Sequence, residues 1–245
     1  MSHQIIDILR SDKEYYSGLG KNYLSNSDIG DLIKNPQMFG VPSEDSLPFL
    51  KGRFFHQSIL EPDKIKDYQI VDASTRTTKI YKETLAESTE KILLLQKEVD
   101  EIKLWVDAMK SNMDFFNMIY TDYESYEEPA VGEIHGKQWK GKADIVKPDY
   151  LIDLKTTREI NGFKWNAKKY NYDSQAYIYQ ELFGKPLYFL AVDKETCQLG
   201  LFRPSESFLK SGESKVIQAI ENYDKFFGKE ATQRVEDFYF DEVLD

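Results

Sequence analysis

Gly141-Lys-Ala-Asp144 and, eight residues on, Ile152-Asp153-Leu154-Lys155 are the stretch whose reading decides the fold. Lys147-Pro148-Asp149 between them marks a tight turn. Residues 138–146 and 150–156 are rich in Ile, Val, Leu and Tyr and read as two strands of a hairpin. Side chains alternate faces along a strand, so Asp153 and Lys155 point the same way. Asp144 reaches that point from the neighbouring strand. Two carboxylates and an ammonium converging there suit a divalent cation and a water nucleophile. Hard cations such as Mg²⁺ take oxygen ligands and keep several waters. Phosphodiester cleavage needs charge neutralised on the phosphate and an activated water, and a metal supplies both. A lone Asp-x-Lys is ordinarily a pair of solvated surface charges, but Ile152 and Leu154 imply a strand buried on at least one face.

Working outward, residues 51–60 read as a helix that carries His56 among Phe54, Phe55, Ile59 and Leu60. Taken alone, such a histidine is a satisfied core residue. Gln175 and Tyr179 lie four apart on a helix over 162–183, so an amide and a phenol share one face and can reach a phosphate. Glu133, on the strand before the hairpin, is a candidate for a second metal or for orienting Lys155. Thr156, Thr157, Arg158, Lys164, Trp165, Lys168 and Lys169 mix hydroxyl, basic and aromatic groups, as contacts to a DNA backbone require. A charged loop and helix face explains them equally well. His135 falls at a hairpin turn beside Gly136 and is expected to be exposed.

Asp144 with Asp153-Leu154-Lys155 resembles the core of the PD-(D/E)XK nucleases. Gln175-Ala-Tyr-Ile-Tyr179 resembles the Gln-xxx-Tyr motif of their RecB-like branch, and Gly52-Arg-Phe-Phe-His56 its upstream Gly-xxx-His helix. Leu24-Ser-Asn-Ser27, with Asn35-Pro36 after it, resembles the first segment of RecE (exonuclease VIII)-type exonucleases. The four motifs run in order over residues 22–228. The resemblance implies an α/β fold with a central mixed sheet flanked by helices. It implies His56, Asp144, Asp153 and the Leu154 carbonyl as metal ligands, with Lys155, Gln175 and Tyr179 completing the catalytic set. A mixed imidazole and carboxylate shell suits Mn²⁺ as well as Mg²⁺.

The 245 residues suffice for one large domain, and the motif order argues for one: a helical part over about 22–119, a catalytic core over about 129–228 and an acidic tail. Hydrophobic content of 41% and aromatic content of 14% can build a core. No apolar run approaches the ~20 residues of a membrane span, and the first residues lack the pattern of a signal peptide. The single cysteine, Cys197, excludes an intrachain disulfide framework and a four-cysteine iron–sulfur cluster. A reduced, cytoplasmic setting is the expectation. The net charge of −10 opposes charge-driven coating of nucleic acid. Part of the acidity is local, over 120–128 and 236–245, and a metal nuclease needs carboxylates.

Further spacing predicts a helix over 28–34 capped by Ser27, a loop over 40–49, and one long helix over 79–119 with a stripe from Ile92 to Phe116. That stripe fits the protein's own core or a coiled-coil partner. Strands over 187–192 and 197–202 and a last helix over 206–227 complete the pattern. The expected function is metal-dependent exonucleolytic hydrolysis of linear double-stranded DNA. An endonuclease or single-strand-specific nuclease of the same fold, and a non-catalytic DNA-binding or assembly subunit, are the rivals. The resemblance further implies 5′ to 3′ digestion, a ring-shaped homo-oligomer, a single-strand annealing partner and a phage or prophage source.

Overall fold

The hairpin lies inside the main sheet of the computed structural model, which describes residues 2–42 and 46–241. Residues 43–45 of the expected loop and the last four residues of the acidic tail lie outside the described residues.

In chain order, α1 (Ser2–Leu9) and α2 (Asp12–Tyr16) lead to α3 (Asn26–Lys34) and α4 (Leu47–Leu60). β1 (Ile70–Val71), α5 (Lys79–Glu87) and β2 (Leu94–Leu95) precede α6 (Gln96–Ser111) and α7 (Met113–Tyr120). β3 (Ser125–Ile134), β4 (Lys137–Val146) and β5 (Leu151–Thr157) follow without an intervening helix. Then come α8 (Phe163–Asn166), α9 (Tyr172–Phe183), β6 (Leu187–Asp193), β7 (Leu199–Phe202) and α10 (Glu206–Phe226).

The five strands β3 to β7 form one sheet in sequence order. All neighbours are antiparallel except β5 and β6, which the α8–α9 crossover makes parallel. Helices cover both faces of the sheet, so β5 buries Leu151, Ile152 and Leu154, while β4 buries Lys140 and Lys142 beside its apolar residues. One face packs Trp139, Leu151, Phe189 and Ala191 against α3, α9 and α10. The other packs Ile145, Ile152, Leu154, Leu190 and Val192 against α4, α6 and α7. This is the mixed sheet flanked by helices that the motifs imply.

Three expectations need correction. The helix over 79–119 is three helices. Residues 92–95 are an apolar run, and Leu94 and Leu95 pair in parallel with Ile70 and Val71 instead of coiling. Asn112 then caps α7 by accepting from the Phe115 N–H at 3.1 Å, which ends α6. Val99, Ile102, Val106 and Met109 do face inward, but into the protein's own core, while Met113 is 70% exposed. No coiled-coil seam survives. The helix over 162–183 breaks at Asn171, whose φ of 58° is left-handed. The cap of α3 is Ser25, not Ser27: Asp28 accepts from both the Ser25 N–H and hydroxyl at 2.7 Å. α1 and α2, where the sequence offered no motif, strap the β3–β4 hairpin. Arg10 makes a two-pronged bond to Glu128 at 2.7 Å, and Asp12 pairs with buried Lys142 at 2.7 Å.

Candidate active site

Asp144 occupies a gap in the hydrogen-bond ladders. The β3–β4 register runs Tyr126↔Ile145 and Glu128↔Ala143 but omits the pair between them, Glu127 and Asp144. The β4–β5 register begins at Val146↔Leu151, continues to Ile145↔Ile152 and stops before Asp144 would meet Asp153. In place of a backbone partner, the Leu154 N–H donates to Asp144 Oδ2 at 2.7 Å. The splayed strands open the sheet where both aspartates sit.

α4 and α9 close on this opening from the two helical layers. His56 Nδ1, on α4, lies 3.1 Å from Asp144 Oδ2. Burial disfavours charge on His56, but the Asp144 carboxylate outweighs it and pushes the imidazole pKa up to about 9. Asp144 responds in kind: burial alone would raise it, yet His56, then Lys155 and the Leu154 N–H, hold it below the usual carboxylate range. From α9, Gln175 donates its amide to Asp153 Oδ1. Lys155 Nζ sits 2.6 Å from Asp153 Oδ2 and 4.7 Å from the centre of the Tyr172 ring. Burial raises the Asp153 pKa despite the Lys155 charge, whereas Lys155 is held above its ordinary value by Asp153 in spite of burial. Tyr179 is buried and bound to the backbone of β4, donating to the Lys142 carbonyl at 2.9 Å. Burial drives its pKa far upward, so it stays a neutral phenol.

The sequence reading missed Glu127. It stands opposite Asp144 across the hairpin, in a left-handed backbone conformation with φ 49°. Burial first, and the facing Asp144 charge second, push its pKa up to about 8. Like charges directly opposed destabilise a sheet, and a non-glycine residue at such φ costs roughly 1–3 kcal/mol. Two costs at one position mark a site built for something other than stability. The only advance signal was membership of the acidic run 120–128, read only as local acidity. Glu133, chosen instead, is exposed and bonded to Gln138 at 3.4 Å, six residues along the strand from Glu127. The fold does not bring it to the cluster.

The donor set fits a divalent cation. Ligand atoms of His56, Glu127 and Asp144 all lie within 4.8 Å of one another. An imidazole and two carboxylates are ligand types that Mg²⁺ and Mn²⁺ accept. Asp153 Oδ2 is buried, and its partner is the Lys155 ammonium at 2.6 Å. Leu154 supplies its N–H to Asp144 in this arrangement. Of the sequence-chosen DNA contacts, Thr157 ends β5 and bonds the Glu159 carbonyl, Arg158 and Lys164 are exposed, and Lys168 and Lys169 flank a cavity near α9. His135 is exposed at a left-handed turn position, as expected.

Comparison with known proteins matches residues 35–235 to the family described as PDDEXK-like domain of unknown function (DUF3799). The chain belongs to this family. The matched region of the PDDEXK-like domain includes every residue of the cluster, from His56 to Tyr179. A crystal structure of a candidate exonuclease from Eubacterium rectale shares the fold, with a TM-score of 0.65, 17% identity and 96% of each chain covered. A phage-related exonuclease from Haemophilus somnus 129PT is a looser likeness: TM-score 0.35, 14% identity, 83% of this chain and 94% of that one. No curated protein matches the chain. Among the described residues, no helix is long and apolar enough to cross a membrane.

Proposed function

We propose that this PDDEXK-like domain hydrolyses phosphodiester bonds of DNA with a divalent cation, Mg²⁺ or Mn²⁺, and acts as an exonuclease on linear duplex. The observation that carries the reading is the convergence of Asp144, Asp153, Lys155, His56 and Glu127 at one break in the sheet. His56, Glu127, Asp144 and Asp153 would hold the ion, with the Leu154 carbonyl as a further ligand. A bound ion there supplies charge neutralisation at the phosphate and a more acidic water. Lys155 is the catalytic residue beside it. Its ammonium, 2.6 Å from Asp153 Oδ2, would orient the attacking water and stabilise charge developing on the phosphate. Gln175 holds one carboxylate oxygen of Asp153, and the other, beside Lys155, is the one that would face the ion. Tyr179 fixes the β4 backbone two residues before Asp144. Both are positioning residues in this scheme.

Digestion from the 5′ end, assembly into a ring and delivery of 3′ strands to an annealing protein complete the proposal; they rest on the resemblance to RecE-type exonucleases. The test is hydrolysis of end-labelled linear duplex in Mg²⁺, Mn²⁺ and EDTA, beside a closed circle and the Lys155→Ala protein. Metal-dependent loss of linear DNA alone, absent in Lys155→Ala, is the expected result, and the first label released gives the polarity. Cutting of the circle would make the protein an endonuclease. No hydrolysis in any metal would leave a DNA-binding or assembly role.

A further inference from the structure

The segment after the catalytic strand exposes what a folded domain normally hides. Trp165 is 76% exposed and Tyr170 59%. Lys164 Nζ lies 4.7 Å from the centre of the Trp165 ring. The same segment contributes Lys168 and Lys169, which with Lys34 and Lys215 line a cavity of about 230 Å³ between α3, the 166–171 segment and α10. Lys215 is committed inward, bonding Asp173 at 2.8 Å and Asn171 at 3.0 Å. Among the described residues, Lys34, Lys168 and Lys169 pair with no carboxylate. In a chain of net charge −10, three uncompensated ammonium groups around one cavity are a local reversal of sign. The ledge also abuts the site: the Tyr170 ring is 5.9 Å from Tyr172, which in turn stands 4.7 Å from Lys155 Nζ.

We infer that this ledge binds the single-stranded DNA flanking the scissile phosphate, with bases stacked on Trp165 and Tyr170 and a backbone phosphate in the lysine-lined cavity. Charge complementarity selects a polyanion. The rings select single strands, because bases in a duplex already stack on each other, whereas unpaired bases have free faces for aromatic side chains. The inference rests on the nuclease reading for its orientation, and it names the part of the substrate that the metal cluster leaves unheld. Lysine ammoniums neutralise phosphates without reading sequence, so binding is expected to be sequence-tolerant and salt-dependent.

The test separates this from the nuclease reading by working in EDTA, where no cleavage occurs. Binding of fluorescein-labelled oligo(dT) and of a blunt duplex is followed by anisotropy over a salt series. Trp165→Ala and Tyr170→Ala are expected to weaken oligo(dT) binding about tenfold each and duplex binding little. Lys34→Gln and Lys169→Gln should each flatten the salt slope by about 0.7, and Lys91→Gln, on a different surface segment, should not. Thermal melts confirm that the variants fold. Oligo(dT) binding unchanged in Trp165→Ala and Tyr170→Ala would overturn the proposal. So would an equal loss of duplex binding, which would make the ledge a duplex contact. Loss of oligo(dT) binding in a protein that hydrolyses nothing would sustain the ledge and remove the nuclease. Hydrolysis with an indifferent ledge would do the reverse.

Discussion

Asp144 shows how one residue can organise a site by leaving the regular structure around it. It pairs with neither Glu127 nor Asp153 in the ladders, and its carboxylate takes the Leu154 N–H and His56 instead. Asp153 and Lys155 share a face by the alternation of a strand, which is why their chemistry was legible from spacing alone. Lys155→Ala should lower the hydrolysis rate by about 10²–10⁴-fold with Mn²⁺ affinity nearly unchanged by calorimetry. A loss of metal binding without a loss of rate would mean Lys155 serves the ion and not the water. Glu127→Gln is expected to weaken Mn²⁺ binding, and an affinity equal to that of the parent would remove Glu127 from the shell. Glu127 could not be found from spacing, because its relevance comes from register across the hairpin and not from any motif.

At the level of elements, helix ends and crossings decide what periodicity cannot. The a/d pattern over 92–116 was real in sequence, but a cap at Asn112 and strand pairing at Leu94–Leu95 divided it. Glu98 shows why α6 begins where it does. Its carboxylate accepts from the Leu95 N–H at 2.9 Å and from Arg76 at 2.6 and 2.9 Å. Burial raises its pKa, but Arg76 and the Leu95 N–H outweigh that and hold it below the value of 4.5 typical of a free glutamate. Its contribution to stability is therefore full above pH 4.5 and is lost as pH falls through the folded-state value. Glu98→Gln should cost about 1–3 kcal/mol at pH 7 by urea unfolding, and the difference from the parent should shrink below pH 4. A gap independent of pH would show that the charge is not what counts. Gly212 is the crossing point of α10 on α9: an added Cβ would lie 2.1 Å from the Asp173 carbonyl oxygen. Backbone cannot yield as a side chain can, so Gly212→Ala should destabilise by about 3 kcal/mol. A melting temperature equal to the parent's would show that α9 and α10 slide apart freely.

Across the whole molecule, charge is distributed by task. Carboxylates gather at the gap in the sheet and along the outer surface, while the ledge beside α9 is basic. An ion held by these carboxylates, as proposed, would stabilise the protein by mass action, since anything that binds only the folded state does so. At a hundred times its dissociation constant an ion adds ~2.7 kcal/mol, which for a chain of this size raises the melting temperature by about 5–10 °C. Mn²⁺ should produce that shift in the parent protein and none in Asp144→Asn with Asp153→Asn. An equal shift in the double variant would place the stabilising ion elsewhere.

By itself the sequence determined the hairpin, the mixed sheet flanked by helices and most of the cluster, since strand alternation and helical spacing act over a few residues and leave a local record. Lys155, Asp153 and Asp144 carry that record in their spacing, whereas His56 was singled out only by the resemblance of Gly52-Arg-Phe-Phe-His56 to a family motif. The tertiary structure decided what depends on pairing between distant segments. It brought Glu127 opposite Asp144, broke the long helix, turned Gln175 and Tyr179 inward to hold Asp153 and β4, and left rings exposed on a segment whose lysines line a cavity. Register and helix crossing are fixed by the packing of a whole core, so no window of sequence contains them.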